Sequence, residues 1–76
     1  MNILKGTVVK SEAGHDKDKI YFVKVCEDGF AFLVNGKTRK QDNPKRKKLK
    51  HLSVLQNAEI DGIDNLTDKK IRRLLR

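Results

Sequence analysis

Seventy-six residues with a net charge of +8 make one small domain with a thin core, because a chain this short buries only about 60–65% of its unfolded surface. That leaves no deep interior for a water-excluded catalytic pocket, and one cysteine, Cys26, with two histidines excludes an internal disulfide and a Cys/His metal set. MNILKG holds no apolar run of signal-peptide length, and no stretch approaches the roughly 20 apolar residues of a membrane span, so a soluble cytoplasmic protein without cofactor or metal is expected.

In chain order, residues 6–10 (GTVVK) predict a short first β-strand, and SEAGHDKD after it a polar loop with Gly14 at positive φ. Residues 20–26 (IYFVKVC) are dense in β-branched and aromatic side chains and predict the strongest strand. Glu27-Asp28-Gly29 predicts a tight hairpin, residues 30–34 (FAFLV) the return strand, and Asn35-Gly36 a second tight turn. A flat meander cannot cover both of its own faces, so it must curl or pack on something, and a five-stranded barrel fits this length. Tyr21, Phe22, Phe30 and Phe32 are then expected inside, and Cys26 as a small buried hydrophobe.

After Gly36 the apolar residues stop, and Pro44 makes the following segment loop or edge, since it cannot donate to a ladder. Apolar residues resume at Leu49, Leu52, Val54, Leu55 and Ile60. Leu49, Leu52 and Leu55 fit a helical stripe, but Leu52 and Val54 alternate, and counting strands favours β over residues 52–56. Near the C-terminus Thr67 is a good N-cap, and Asp68 suits the first helical turn. Leu66 and Ile71 are spaced as a hydrophobic staple, while Arg72, Arg73 and Arg76 suit the C-terminal end of the dipole. The expected organisation is a barrel over residues 1–56 and an extension with a short helix over residues 57–76.

The charge is concentrated. Residues 1–36 sum to zero, residues 37–51 to +7 and residues 52–76 to +1. A patch of this kind attracts a polyanion, with nucleic acid ahead of an anionic membrane surface. Lys45, Arg46, Lys47, Lys48 and Lys50, with His51, form its densest part. Such blocks are often solvated and disordered, and PKRKK also matches a nuclear-import pattern. Against both, the run sits between a hairpin and a leucine-bearing segment rather than at a terminus. Lys37, Arg39 and Lys40 extend the patch, Arg39 with a fork suited to phosphate, or they charge an edge strand against sheet-to-sheet pairing.

The stretch Gly6-Thr7-Val8-Val9-Lys10-Ser11-Glu12-Ala13-Gly14-His15-Asp16-Lys17, followed by an apolar strand and a hairpin ending Val34-Asn35-Gly36-Lys37, resembles the KOW motif. Asn43-Pro44-Lys45-Arg46-Lys47-Lys48-Leu49-Lys50-His51-Leu52 resembles the basic turn after that hairpin in one KOW subgroup. That subgroup comprises small RNA-binding proteins similar to certain archaeal and eukaryotic large-subunit ribosomal proteins, with short stand-alone bacterial relatives. The resemblance covers residues 3–56 in one register and implies an SH3-like five-stranded barrel that binds RNA, usually ribosomal RNA. It also implies that Ser11, Gly14, His15 and Lys17 belong to a loop presented to RNA, through backbone N–H groups near Gly14 and stacking by His15. His15 reads equally well as an ordinary exposed histidine. Relatives carry glycine where this chain has Asp18, which adds negative charge beside the implied RNA face.

The expectation is a monomeric RNA-binding protein that grips backbone and shape more than sequence. The alternative is an SH3-like module docking an acidic protein partner. No nucleophile with a base, metal set or paired carboxylates can be named, so an enzyme is not expected.

Overall fold

A computed structural model of the chain describes residues 3–56 and 62–75, so Ile60 and Arg76 lie outside the described residues. Strands β1 (Val8–Ser11), β2 (Ile20–Glu27), β3 (Phe30–Val34), β4 (Lys45–Lys48) and β5 (Leu52–Gln56) are followed by one helix, α1 (Asp68–Leu74). Short 3-10 turns occupy Leu49–His51 and Ile63–Asn65.

The strands form one antiparallel sheet in the order β4-β3-β2-β1-β5. Asp28 and Gly29 link β2 to β3 with φ of 49° and 81°, the pair of positive values that a two-residue hairpin matched to strand twist requires. Between β2 and β3 the register moves from Val23↔Leu33 to Val25↔Phe32, leaving Lys24 as a bulge that bends the strand. A second irregularity lies between Val8 and Val9 where β1 meets β5.

The two edge strands, β4 and β5, are joined by only the 3-residue Leu49–His51 turn. The sheet must therefore coil until its edges share a corner. That corner is pinned by Leu49 N–H donating to the Gly29 carbonyl and Glu12 N–H donating to the His51 carbonyl. Among the described residues no ladder joins β4 to β5, so the sheet is open and strongly coiled.

The coil has two cores. On the concave side Val9, Tyr21, Val23, Ala31, Leu33 and Leu52 are buried together, with Cys26, Leu49 and Val54 against them. On the convex side Phe22 and Val34 are buried under Ile63 and Ile71, with Leu66 and Leu75 packed alongside. The helix therefore docks on the sheet. Thr67 caps it by accepting from Lys70 N–H, and Arg72 Nη1 donates to the Gly36 carbonyl at 2.7 Å. Gly36 has φ 74°, and a Cβ there would run into the Asp68 carbonyl oxygen, so the close approach of α1 depends on its absence.

Several expectations need correcting. The first strand begins at Val8 rather than residue 6, because Gly6 takes φ 88° and breaks the extended run. Asn35-Gly36 does not make a second tight hairpin. It opens a longer connection, residues 35–44, held by Asn35 Oδ1 accepting from the N–H groups of Lys37 and Arg39. Of the loop or edge expected after Pro44, residues 45–48 form an edge, a regular strand in place of the basic turn that the resemblance implies. Phe30 and Phe32 are not core: they share the convex face and are only half-buried, with Ala31 between them facing inward. Cys26 is half-buried, its thiol donating to the Ile3 carbonyl, and burial pushes its pKa up, away from reactivity.

Candidate nucleic-acid interface

Strand alternation sorts the basic run by face. Lys45 and Lys47 pair with Leu33 and Ala31 of the concave core, so they lie on the concave side and are half-buried. Arg46 and Lys48 pair with Phe32 and Phe30, so they lie on the convex side and are exposed. A run that is continuous in sequence thus serves two surfaces.

On the concave side β4 faces the β1–β2 loop. Lys47 Nζ donates to Asp16 Oδ1 and to the Ala13 carbonyl, each at 2.6 Å. The two side chains are 11% and 12% exposed, so the pair is close to buried. Ser11, fully buried, donates its hydroxyl to Asp16 Oδ1 at 3.1 Å, and the Tyr21 hydroxyl reaches Asp16 Oδ2 at 3.4 Å. Burial alone would raise the Asp16 carboxyl. The hydrogen bonds from Lys47 and Ser11 and the ammonium charge outweigh it and hold the pKa below the ordinary carboxylate value. Tyr21 is shifted the other way, upward, by burial and then by the Asp16 charge.

This network shapes the loop. Gly14 takes φ 83°, and a Cβ there would sit 3.2 Å from Lys47 Nζ, so glycine lets the loop close onto β4. Asp18 adopts φ 72°, a left-handed conformation that Asp tolerates better than most residues. Its N–H donates to the Ser11 carbonyl at 2.7 Å, which holds the turn.

Loop and strand enclose a depression of about 580 Å³ lined by Gly14, His15, Asp16, Lys19, Tyr21, Thr38, Arg39, Asn43, Lys45 and Lys47. Gly14 and His15 come from one predicted segment and Arg39, Lys45 and Lys47 from the other, and the fold brings them together. Lys47, however, already spends its charge on Asp16, and Ser11 faces inward as a brace for the loop. Lys17 is exposed on the loop but does not line the depression. Lys37 and Lys40 fall on a neighbouring depression of about 600 Å³ with Ile20, Asn35, Arg72 and Leu75. Lys50 is exposed and His51 half-buried in the 3-10 turn at the corner.

Sequence reasoning missed Lys19, Thr38 and Asn43 in the first depression and Arg72 in the second. Lys19 carried no legible sign, since it lies outside the basic run of residues 37–51. Arg72 read only as a dipole partner, because nothing in the chain signals that α1 docks beside the 35–44 connection.

Among the described residues no group of three or more His, Cys, Asp or Glu side chains is placed to hold a metal ion, and no helix is long and apolar enough to cross a membrane. No protein-family model and no curated protein matches the chain, so its functional reading stands on the residues and their geometry.

Proposed function

We propose that this chain is an RNA-binding protein, ribosomal or ribosome-associated, built on an SH3-like barrel of the KOW type and acting as a monomer in the cytoplasm. The single observation that carries the reading is the convergence of the Gly14 loop with Arg39 and Lys45 around one polar depression. Phosphate is the ligand this lining suits: Arg39 offers a bidentate fork, Lys19 and Lys45 offer point charges, and Gly14 lets backbone approach closely. Lys37, Lys40 and Arg72 continue the positive surface toward the second depression. The contacts are to backbone rather than base edges, which favours structured RNA over a defined sequence.

The test is RNA affinity as a function of salt, measured by fluorescence anisotropy with a labelled ribosomal RNA fragment. Each phosphate contact contributes about 0.7–0.9 to the log–log salt slope, so the double reversal Arg39→Glu/Lys45→Glu lowers the slope by about 1.4–1.8. The double variant Asp16→Asn/Lys47→Met, which removes both members of the internal pair, leaves the slope unchanged, because the Lys47 charge is already neutralised within the protein. Equal slopes for wild type and double reversal overturn the reading. Nuclease treatment of a ribosomal fraction releases the chain if RNA holds it and leaves it in place if an acidic protein does.

A further inference from the structure

The convex face of the sheet has two ends, and among the described residues the C-terminal segment packs on only one. Phe22 and Val34 lie beneath Ile63 and Ile71. At the other end Phe30 and Phe32 stay half-buried, and Val25, opposite Phe32, is 38% exposed. The register sets Phe32 against Arg46 and Phe30 against Lys48, so aromatic rings and cations share one strip across β3 and β4. Within it the guanidinium carbon of Arg46 lies 3.7 Å from the centroid of the Phe30 ring. That is the separation of stacked planes, and it is well inside cation–π range. Phe30 therefore holds one face of the guanidinium, while Arg46 as a whole remains exposed.

We propose that this strip takes an unpaired base of single-stranded RNA, which stacks on the outer face of the Arg46 guanidinium with Phe32 and Lys48 beside it. The proposal rests on the RNA reading above and adds to it a second kind of contact, to a base rather than a phosphate. Its physical basis is preorganisation. A free arginine loses rotamer freedom when it stacks on a base, whereas one already resting on a phenyl ring has lost much of it on folding. Charge selects the ligand. An apolar protein segment laid on the strip would desolvate Arg46 and Lys48 without a counter-charge, while a nucleotide brings its own phosphate.

The acidic residue of this face, Glu27, stands across Phe30 on β2, the far side from Lys48, so the backbone of a bound nucleotide is directed toward β4. Access follows from β4 being an edge. Adjacent residues along it present Lys45 to the concave depression and Arg46 to the convex strip, with Cα atoms about 3.8 Å apart. An RNA strand crossing that edge meets both surfaces without detour.

The test uses the full chain and two conservative variants, Arg46→Lys and Phe30→Leu, which keep charge and apolar bulk but remove planarity. Arg46→Lys lies at an exposed position and does not threaten the fold. One probe is a ten-nucleotide oligouridine with 2-aminopurine at its centre, and the other is a fluorescein-labelled RNA duplex with no unpaired bases. Wild type should quench the 2-aminopurine. Each variant should lose that quench and about tenfold in oligomer affinity, the range of a single base-stacking contact, with duplex affinity unchanged within about twofold. Wild-type behaviour by Arg46→Lys on the oligomer makes Arg46 a point charge and overturns the proposal. So does oligomer binding untouched by Phe30→Leu, which leaves the strip to a protein segment. Equal losses on both probes also overturn it, making the strip ordinary basic surface. A wild type that binds the duplex but not the oligomer defeats this proposal alone, and one that binds neither defeats the RNA reading beneath it.

Discussion

Replacing Asp16 with asparagine isolates one charge in the enclosed polar cluster of Asp16, Lys47, Ser11 and Tyr21. The side chain keeps an oxygen for Lys47 and Ser11 but no longer balances an ammonium that is 11% exposed. Breaking a buried ion pair from one side costs about 3–5 kcal/mol, and the retained Ala13 carbonyl and amide oxygen place this case near about 3 kcal/mol. A chain of 76 residues has only about 4–11 kcal/mol in total, so the variant should melt about 12–24 °C below wild type. Urea unfolding followed by circular dichroism measures the loss directly. The double variant Asp16→Asn/Lys47→Met removes the stranded ammonium and should recover to within about 1 kcal/mol of wild type, because it leaves no unbalanced charge in the cluster. The effect also carries a pH signature. The folded Asp16 pKa lies below its unfolded value of about 3.9, so its contribution is complete above that pH and fades as pH falls through the folded value. Asp16→Asn should lack that acid-side loss. A single variant within 1 kcal/mol of wild type, or a double variant no more stable than the single, would refute the reasoning.

The other predictions test the two ends of the sheet. Tyr21 has a raised folded pKa from burial and the Asp16 charge, so its stabilisation is complete below about 10 and is lost as pH rises through the folded value. Tyr21→Phe should flatten that alkaline limb in urea titrations at stepped pH, and an unchanged limb would mean other groups cause it. Gly36→Ala should release α1 from the sheet, since the new Cβ meets the Asp68 carbonyl and the φ of 74° disfavours alanine, at about 2 kcal/mol or more. Faster amide hydrogen exchange confined to residues 68–75 would report it, and unchanged exchange there would count against the docking described.

What was legible in the sequence follows from how local each signal is. The β2–β3 hairpin came through because β-branched runs and Asp28-Gly29 act within a few residues. Strand β5 over Leu52–Gln56 and the Thr67 cap came through for the same reason. Strand β4 did not, since KRKK has no β-branched residue; it is a strand because the neighbouring β3 offers a free edge. The outward placement of Phe30 and Phe32 was hidden because, among the described residues, the convex face is covered at one end only, by a helix that follows them by some forty residues. The Lys47–Asp16 pair spans |i−j| = 31, beyond the reach of any local pattern, and it is what turns one of the expected phosphate contacts into a structural brace.

Neighbouring residues of β2, Tyr21 and Phe22, anchor the two different cores, and this fixes a timetable for the chain as it is synthesised. The concave cluster can close once Leu52 has emerged, but Phe22 and Val34 stay uncovered until Ile63 and then Ile71 follow. Over that interval the nascent sheet presents a bare aromatic patch beside an open, basic β4 edge. The charges along that edge, by repelling another copy of themselves, guard the chain against pairing with a neighbour before Ile63 and Ile71 arrive.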